Sequence, residues 1–255
     1  MCLIFVAYRQ RADYPLIIAA NRDEYYWRPS AAAHFWRDAP KVLAGRDLEA
    51  LGTWLGITRE GRFAAITNFR DPCRNRKRAV SRGQLVRDYL LSDVPPQAYC
   101  QAISSRAAAY NGFNLLLGDQ LELWYYASQG NVARGLDPGL YGLSNRLLDT
   151  PWPKVARGKE TFRHLLGNDR LSETGLLRML ADRTCPPDEL LPDTGIGLTW
   201  ERTLGPIFIR SDTYGTRSST VILVTTEGRV HFTERNFGRE QNGHSTRRFE
   251  FSLTP

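Results

Sequence analysis

The sequence predicts an α+β fold, a four-layer αββα sandwich of two packed antiparallel sheets flanked by helices. Two observations carry this. Segments of strand character and of helical character fall in separate blocks, in the order strands, two helices, strands, two helices, strands. Blocks of this kind argue for layered antiparallel sheets rather than a parallel sheet wound with helices. The second observation is bulk. A chain of 255 residues, 42% hydrophobic and 24% charged, has ordinary globular composition and can build a core without disulfides or metals. No low-complexity tract or Ser/Gly-rich linker divides it, so one domain over 1–255 is expected.

The elements follow in order. Cys2 to Tyr8 is an apolar, β-prone run, and Leu16 to Ala20 is a second, joined by a short polar link. Together they predict a hairpin. Thr53 to Thr58 and Phe63 to Thr67 predict another, with Gly61 in the turn, where a positive φ is expected. The period then changes. Gln84 to Leu91 and Gln97 to Tyr110 place apolar residues three and four apart, and Pro95-Pro96 opens the second, where proline is tolerated. Phe113 to Leu117 and Leu121 to Tyr126 return to strand character. Trp152 to Leu166 and Glu173 to Ala181 form a second helical layer, and Thr220 to Thr225 with Arg229 to Thr233 close the chain's pattern with a hairpin through Glu227-Gly228.

Charge and cysteine usage exclude several classes. The net charge is +7, with basic clusters at Arg70 to Arg82 and Arg239 to Arg248. The loop Arg74-Asn75-Arg76-Lys77-Arg78 reads as a solvated segment or a contact for phosphates, a membrane surface or an acidic ligand. No helix-turn-helix, zinc-finger or RNP pattern accompanies the charge, so a nucleic-acid partner is not expected. The four cysteines, Cys2, Cys73, Cys100 and Cys185, show no metal-ligand spacing, and the four histidines are isolated. No apolar stretch approaches the roughly 20 residues that span a bilayer, and the start lacks a basic leader region. The expectation is a cytoplasmic protein in a reducing compartment, with no metal and no required cofactor.

The chemistry centres on Cys2. It leads a strand, and removal of Met1 gives it a free α-amino group of unperturbed pKa roughly 7.7–8.0. That amine can serve as general base for its own thiol. The structural alternative is a buried cysteine on an edge strand. Asn21-Arg22-Asp23-Glu24 ends the second apolar run. If the first two strands pair as a hairpin, this tetrapeptide approaches Cys2, its carboxylates favouring a charged amine and its Arg a thiolate. A solvated turn ion pair is the alternative. Gly52-Thr53-Trp54-Leu55-Gly56 places Trp54 on a strand between glycines, either lining a flat ligand pocket or packing where backbones approach closely.

Met-Cys at the start, the run LIIAANRDE, GTWLGI at Gly52 to Ile57 and TNFR at Thr67 to Arg70 resemble the NRDE family, which includes transport and Golgi organisation protein 2. So do Asn111-Gly112-Phe113-Asn114-Leu115, Gly142-Leu143-Ser144-Asn145 followed by Asp149-Thr150-Pro151-Trp152-Pro153-Lys154, and Tyr214-Gly215-Thr216-Arg217-Ser218-Ser219-Thr220. The resemblance covers almost the whole chain in order. The family in turn is similar to the cysteine N-terminal-nucleophile (Ntn) amidases such as penicillin V acylase and bile salt hydrolase. That resemblance implies a catalytic set of Cys2, Asp23, Asn68, Asn145 and Arg217. Cys2 matches the nucleophile and Asp23 the early Asp. Asn68 matches an oxyanion-hole amide, Asn145 an amide that holds the cysteine amine and substrate, and Arg217 a late active-site Arg. Asn21, Arg22, Glu24 and Trp54 are the expected ligand-binding residues. In the amidases an Arg directly precedes the Asn-x-Asp step, whereas here Ala20 precedes it and Arg22 lies inside. A one-residue shift on a strand turns a side chain to the other face, so Arg22 is expected to face away from the thiol.

Two functions follow. One is a cysteine-dependent hydrolase of a small acyl amide or thioester. The other, implied by the NRDE resemblance, is a binding or carrier protein for haem or for a lipid or acyl-CoA. In both the partner is a small molecule, and haem enters as cargo.

Overall fold

The computed structural model describes residues 2–74, 76, 79–167, 171–239 and 243–254. Its strands, in chain order, are β1 (Cys2–Tyr8), β2 (Leu16–Tyr25), β3 (Ser30–Phe35), β4 (Val42–Asp47), β5 (Leu55–Thr58), β6 (Phe63–Asn68), β7 (Phe113–Gly118), β8 (Leu123–Ala127), β9 (Val132–Gly135), β10 (Gly139–Leu143), β11 (Tyr214–Val224), β12 (Arg229–Phe237) and β13 (His244–Ser252). The helices are α1 (Gly83–Leu91), α2 (Pro96–Ser104), α3 (Pro153–Leu166), α4 (Glu173–Leu180) and α5 (Leu198–Leu204). The chain divides into two compact units, Met1–Trp27 with Pro138–Glu250, and Arg28–Asp137 with Phe251–Pro255. Each holds one antiparallel sheet with helices packed on it, so the α+β class holds.

The first unit carries the sheet β10-β1-β2-β11-β12-β13. β1 is buried on both faces from Leu3 to Tyr8, which is why it reads as an unbroken apolar run rather than an alternating one. The expected hairpin forms with Cys2 opposite Arg22 and Tyr8 opposite Leu16. Leu3, Phe5, Ala7, Ile17, Ala19, Val221 and Leu223 point to one face, where they pack with Val155 and Phe162 of α3 and Leu176, Leu177 and Leu180 of α4. The approach is close enough that a Cβ on Gly158 would lie 2.0 Å from the Phe5 ring, so only glycine fits at that point of α3.

The second unit carries the sheet β3-β4-β5-β6-β7-β8-β9. Val42, Ala44, Ala64, Ile66, Leu115 and Leu117 form its core with Leu85, Val86, Tyr89 and Leu90 of α1 and Tyr99, Cys100 and Ile103 of α2. Gly61 takes φ +80 in the β5–β6 turn, as expected.

The differences from expectation have local causes. The helix expected to reach Tyr110 stops at Ser104, where Ser105 bonds back through Oγ to the Ala102 carbonyl (3.1 Å), a competitor of helix continuation. The strand expected from Thr53 begins at Leu55, because the Thr53 N–H is donated to the Gly83 carbonyl (3.1 Å) rather than to the ladder. Trp54 therefore precedes β5 instead of lying on it. Strands β3, β4, β9, β10 and β13 and helix α5 were not expected. Their sequences are short, Ala/Gly-rich or charged, and neighbours rather than their own pattern select them. Of the basic loop, Asn75, Lys77 and Arg78 lie outside the described residues. Arg76 donates its backbone N–H to Asn111 Oδ1 (2.8 Å) and its guanidinium to the Ala108 and Tyr110 carbonyls.

Candidate functional site

The register of β1, β2 and β11 decides which polar groups meet. Directly opposed residues of antiparallel strands point to the same face. Cys2 opposes Arg22, and Arg22 opposes Ser218, so these three share one face at the end of the sheet. This corrects the expectation that Arg22 turns away from the thiol. The motif shift counted along β2 is real, but the pairing with β1 sets the face. Asn145 lies two residues beyond Leu143, the partner of Ile4, and so stands at the Cys2 end of β1. Its side chain is fully buried and its Oδ1 accepts from Ser144 Oγ (3.3 Å).

Asn21 and Asp23 alternate to the helix-covered face. Asn21 donates Nδ2 to the carbonyls of Leu180 (2.8 Å) and Ile207 (2.9 Å), and its Oδ1 accepts from Ser219 Oγ (2.6 Å). These bonds tie the end of α4 to the sheet. Asp23 is 1% exposed. Its Oδ1 accepts from Thr216 Oγ1 (2.7 Å), and its backbone carbonyl accepts from the Tyr214 hydroxyl (2.7 Å). Thr216 Oγ1 in turn accepts the Ile209 N–H (2.9 Å).

A β-bulge lies between Thr216 and Ser218, and Arg217 is the extra residue. A bulge re-aims a side chain out of the strand's alternation. The Arg217 guanidinium donates to the Tyr25 (2.9 Å) and Tyr26 (3.2 Å) carbonyls, so it clamps the chain just past the NRDE tetrapeptide. Glu24 is partly exposed, and its Oε1 accepts the Tyr25 N–H (2.9 Å).

The electrostatics are those of a largely buried site in which Cys2 itself is half-buried. Burial pushes the Cys2 thiol above its ordinary value. The amino-terminal charge and Arg22 oppose that rise, and Asp23 and Glu24 add to it. Burial likewise raises the Asp23 carboxyl, against the pull of Lys154 and the Thr216 hydrogen bond. Burial lowers Arg217, with Arg22 adding like-charge repulsion. The thiol is thus a protonated group near neutral pH and needs a base to become a nucleophile.

The sequence alone assigns Lys154 no role, yet the structure buries it where local rules disfavour a cation. It is 4% exposed, and Nζ donates to the Leu204 carbonyl at the end of α5 (2.9 Å). It lies in the first turn of α3, where a cation opposes the helix dipole by about 0.3–1 kcal/mol. Taking an ammonium out of water costs several kcal/mol more unless it is paired. The signal was present in Pro151-Trp152-Pro153-Lys154, where proline opens the helix and the next residue is a lysine. The preceding loop is held by Asp149 at φ +60, whose backbone N–H reaches the Gly142 carbonyl (2.8 Å) and whose Oδ1 accepts the Gly142 N–H (2.8 Å).

Asn68 and Trp54 belong to the second unit. Asn68 ends β6 opposite Phe113. The Trp54 indole occupies the space above Gly45, where a Cβ would meet its Cη2 at 2.3 Å. Of the residues expected in one site, the first unit brings together Cys2, Arg22, Asp23, Glu24, Asn145 and Arg217 at one end of its sheet. Among the described residues no group of three His, Cys, Asp or Glu converges as for a metal, and no helix is long and apolar enough to cross a membrane.

Comparison with known proteins agrees with this fold. Solved structures with the same fold include a variant of conjugated bile acid hydrolase from Clostridium perfringens, with a TM-score of 0.52 at 9% identity over 99% of this chain and 98% of that one. The Caenorhabditis elegans ortholog of N-acylethanolamine-hydrolyzing acid amidase matches with a TM-score of 0.50 at 11% identity over 87% and 92%. At such identities the likeness is one of fold, the Ntn-hydrolase type. In sequence, the chain is 40% identical to the Transport and Golgi organization protein 2 homolog of Bos taurus and 38% to that of Homo sapiens, over 99% of each chain. It is 30% identical to Transport and Golgi organization protein 2 of Drosophila melanogaster, over 92% of this chain and 91% of that one. The family model described as Transport and Golgi organisation 2 matches residues 1–239, and the chain belongs to that family.

Proposed function

We propose that this chain is a cysteine-dependent hydrolase of a small apolar acyl amide or thioester. The observation that carries the reading is the placement of Cys2 at the start of β1, opposite Arg22 and at the same strand end as Asn145. In this mechanism Met1 is removed and the α-amine of Cys2 takes the thiol proton as Sγ attacks the carbonyl carbon. Asn145 orients the amine without adding charge. The proton passes to the leaving amine or thiol, and water then attacks the acyl-cysteine and releases the acid. The relatives in fold named above are, by name, a conjugated bile acid hydrolase and an N-acylethanolamine-hydrolyzing acid amidase, so both are hydrolases. The test is incubation of Met1-processed protein with acyl amides and thioesters, read by intact mass. An acyl adduct present in the wild type and lost in Cys2→Ala is expected. No adduct on a verified Cys2 terminus across a broad panel overturns the proposal.

A carrier of haem or of an acyl-CoA is the second reading, and one surface observation favours it. Trp27 is 66% exposed and stacks on Tyr25 (5.5 Å between centroids). Tyr25 meets Tyr214 edge-on (5.1 Å), and Tyr214 meets the partly exposed Trp200 (6.2 Å). This aromatic row runs through Tyr214, whose hydroxyl bonds the Asp23 carbonyl, and its exposed rings suit a flat or apolar ligand. Titration with haem is expected to give a saturable absorbance shift that weakens in Trp27→Ala. An unsaturable shift, or one indifferent to that substitution, counts against it.

A further inference from the structure

The ammonium of Lys154 and, through Thr216, the carboxyl of Asp23 are tied to the same stretch of chain. Lys154 Nζ donates to the carbonyl of Leu204 (2.9 Å). Asp23 connects through Thr216 Oγ1 to the N–H of Ile209 (2.7 and 2.9 Å). Between these two points the Ile207 carbonyl is held by Asn21 (2.9 Å). Leu204–Ile209 is thus latched by three polar residues of β2, β11 and α3, all at least nine-tenths buried. A buried lysine at the start of a helix gains nothing locally, as its own dipole opposes it. Thr216, one of the three latch residues, also holds the buried Asp23 carboxylate (2.7 Å).

We propose that Lys154 is a positioning residue that supplies the buried countercharge for Asp23 and, through Leu204–Ile209, fixes that carboxylate beside the Cys2 terminus. This rests on the hydrolase reading for its purpose, since an ionised Asp23 holds the ammonium that forms on Cys2 as the thiol proton leaves. It does not rest on that reading for its test. The groups that act most on the Asp23 carboxyl include Lys154 from α3, Thr216 from β11, Glu24 on β2 itself and the amino-terminal charge. The groups that respond to it are Cys2 on β1, Tyr214 on β11 and Tyr26. Lys154 is the side chain that lowers the Asp23 carboxyl most, so its removal has a definite sign. The carboxyl then titrates at higher pH, because burial remains and its opposing charge is gone.

The experiment is carbon-13 NMR titration of the aspartate carboxyls in the wild type, Lys154→Met and Lys154→Arg, with Asp23→Asn to assign the signal. Lys154→Met is expected to move the Asp23 titration to higher pH and Lys154→Arg to keep it near the wild-type position. A folded Lys154→Met with an unmoved Asp23 titration overturns the inference. Should Lys154→Met fail to fold, nitrogen-15 NMR of the lysine side chains in the wild type decides it. A charged Lys154 at pH 7 supports the inference, and a neutral one overturns it. Where hydrolysis is measurable, the acidic limb of kcat/KM against pH moves upward in Lys154→Met and returns in Lys154→Arg. A wild type inert towards every acyl substrate sinks the hydrolase reading and leaves the titration standing by itself.

Discussion

The two faces of strand β2 carry alternate letters of one tetrapeptide and have opposite characters. Asn21 and Asp23 face the helices and are tied to Leu180, Ile207, Ser219 and Thr216 by hydrogen bonds of 2.6–2.9 Å. Arg22 and Glu24 face the other way, with Cys2 and Ser218 opposite Arg22. One face is a polar staple between sheet and helices, and the other presents charge to a thiol. A run of polar residues can therefore serve architecture and chemistry at once, because strand alternation sends its members to different neighbours.

The comparison can be broken most sharply at Asn21. Asn21→Leu strands two carbonyls and the Ser219 hydroxyl, and a loss of about 3–5 kcal/mol in urea unfolding is expected. A loss under about 1 kcal/mol would show the staple to be ornamental. Gly158→Ala is expected to cost about 1–3 kcal/mol, since the new methyl meets the Phe5 ring and must push α3 off the sheet. Thr216→Val removes the bond to Asp23 and the acceptor for Ile209, for about 1–3 kcal/mol. It should also raise the Asp23 titration further, as one stabiliser of the charged form is lost.

The smallest effect on stability and the most informative one for chemistry is expected at Arg22. Alkylation of Cys2 by iodoacetamide should be slower at pH 7–8 than that of the exposed Cys73 and Cys185, and faster than that of the buried Cys100, pushed up to about 12. Arg22→Met removes a charge that lowers the Cys2 thiol, so the alkylation profile moves to higher pH. An unchanged profile separates Arg22 from the thiol. The sign for stability follows from the raised thiol. The protonated Cys2 is compatible with the folded site below the ordinary thiol range, and that compatibility is lost as pH rises through the folded value.

Much of the fold was legible because it rests on local pattern. The β1–β2 hairpin, the turn at Gly61 and the helices α1, α3 and α4 all appear within a few residues of their expected places. What was not legible depended on remote partners. β10 reads as a glycine-rich loop until β1 pairs with it, and β4 carries Gly45 because the Trp54 indole fills the space of a side chain. In the site, the motif Asn21 to Glu24 was visible as a run, but its division between two faces was misjudged for Arg22. Counting along one strand gives parity only. The absolute face came from Cys2 opposing Arg22 across the ladder.

By itself the sequence determined the class of fold, the early strand that begins at Cys2 and the polar run that ends β2, because burial periodicity and motif order are properties of the chain alone. Tertiary structure decided the rest. It set Arg22 on the side of the thiol, made Arg217 the extra residue of a bulge, and buried Lys154 at the head of α3 against the Leu204 carbonyl. Each of these follows from register or from packing of segments far apart in sequence, and no local pattern encodes which residues such contacts will join.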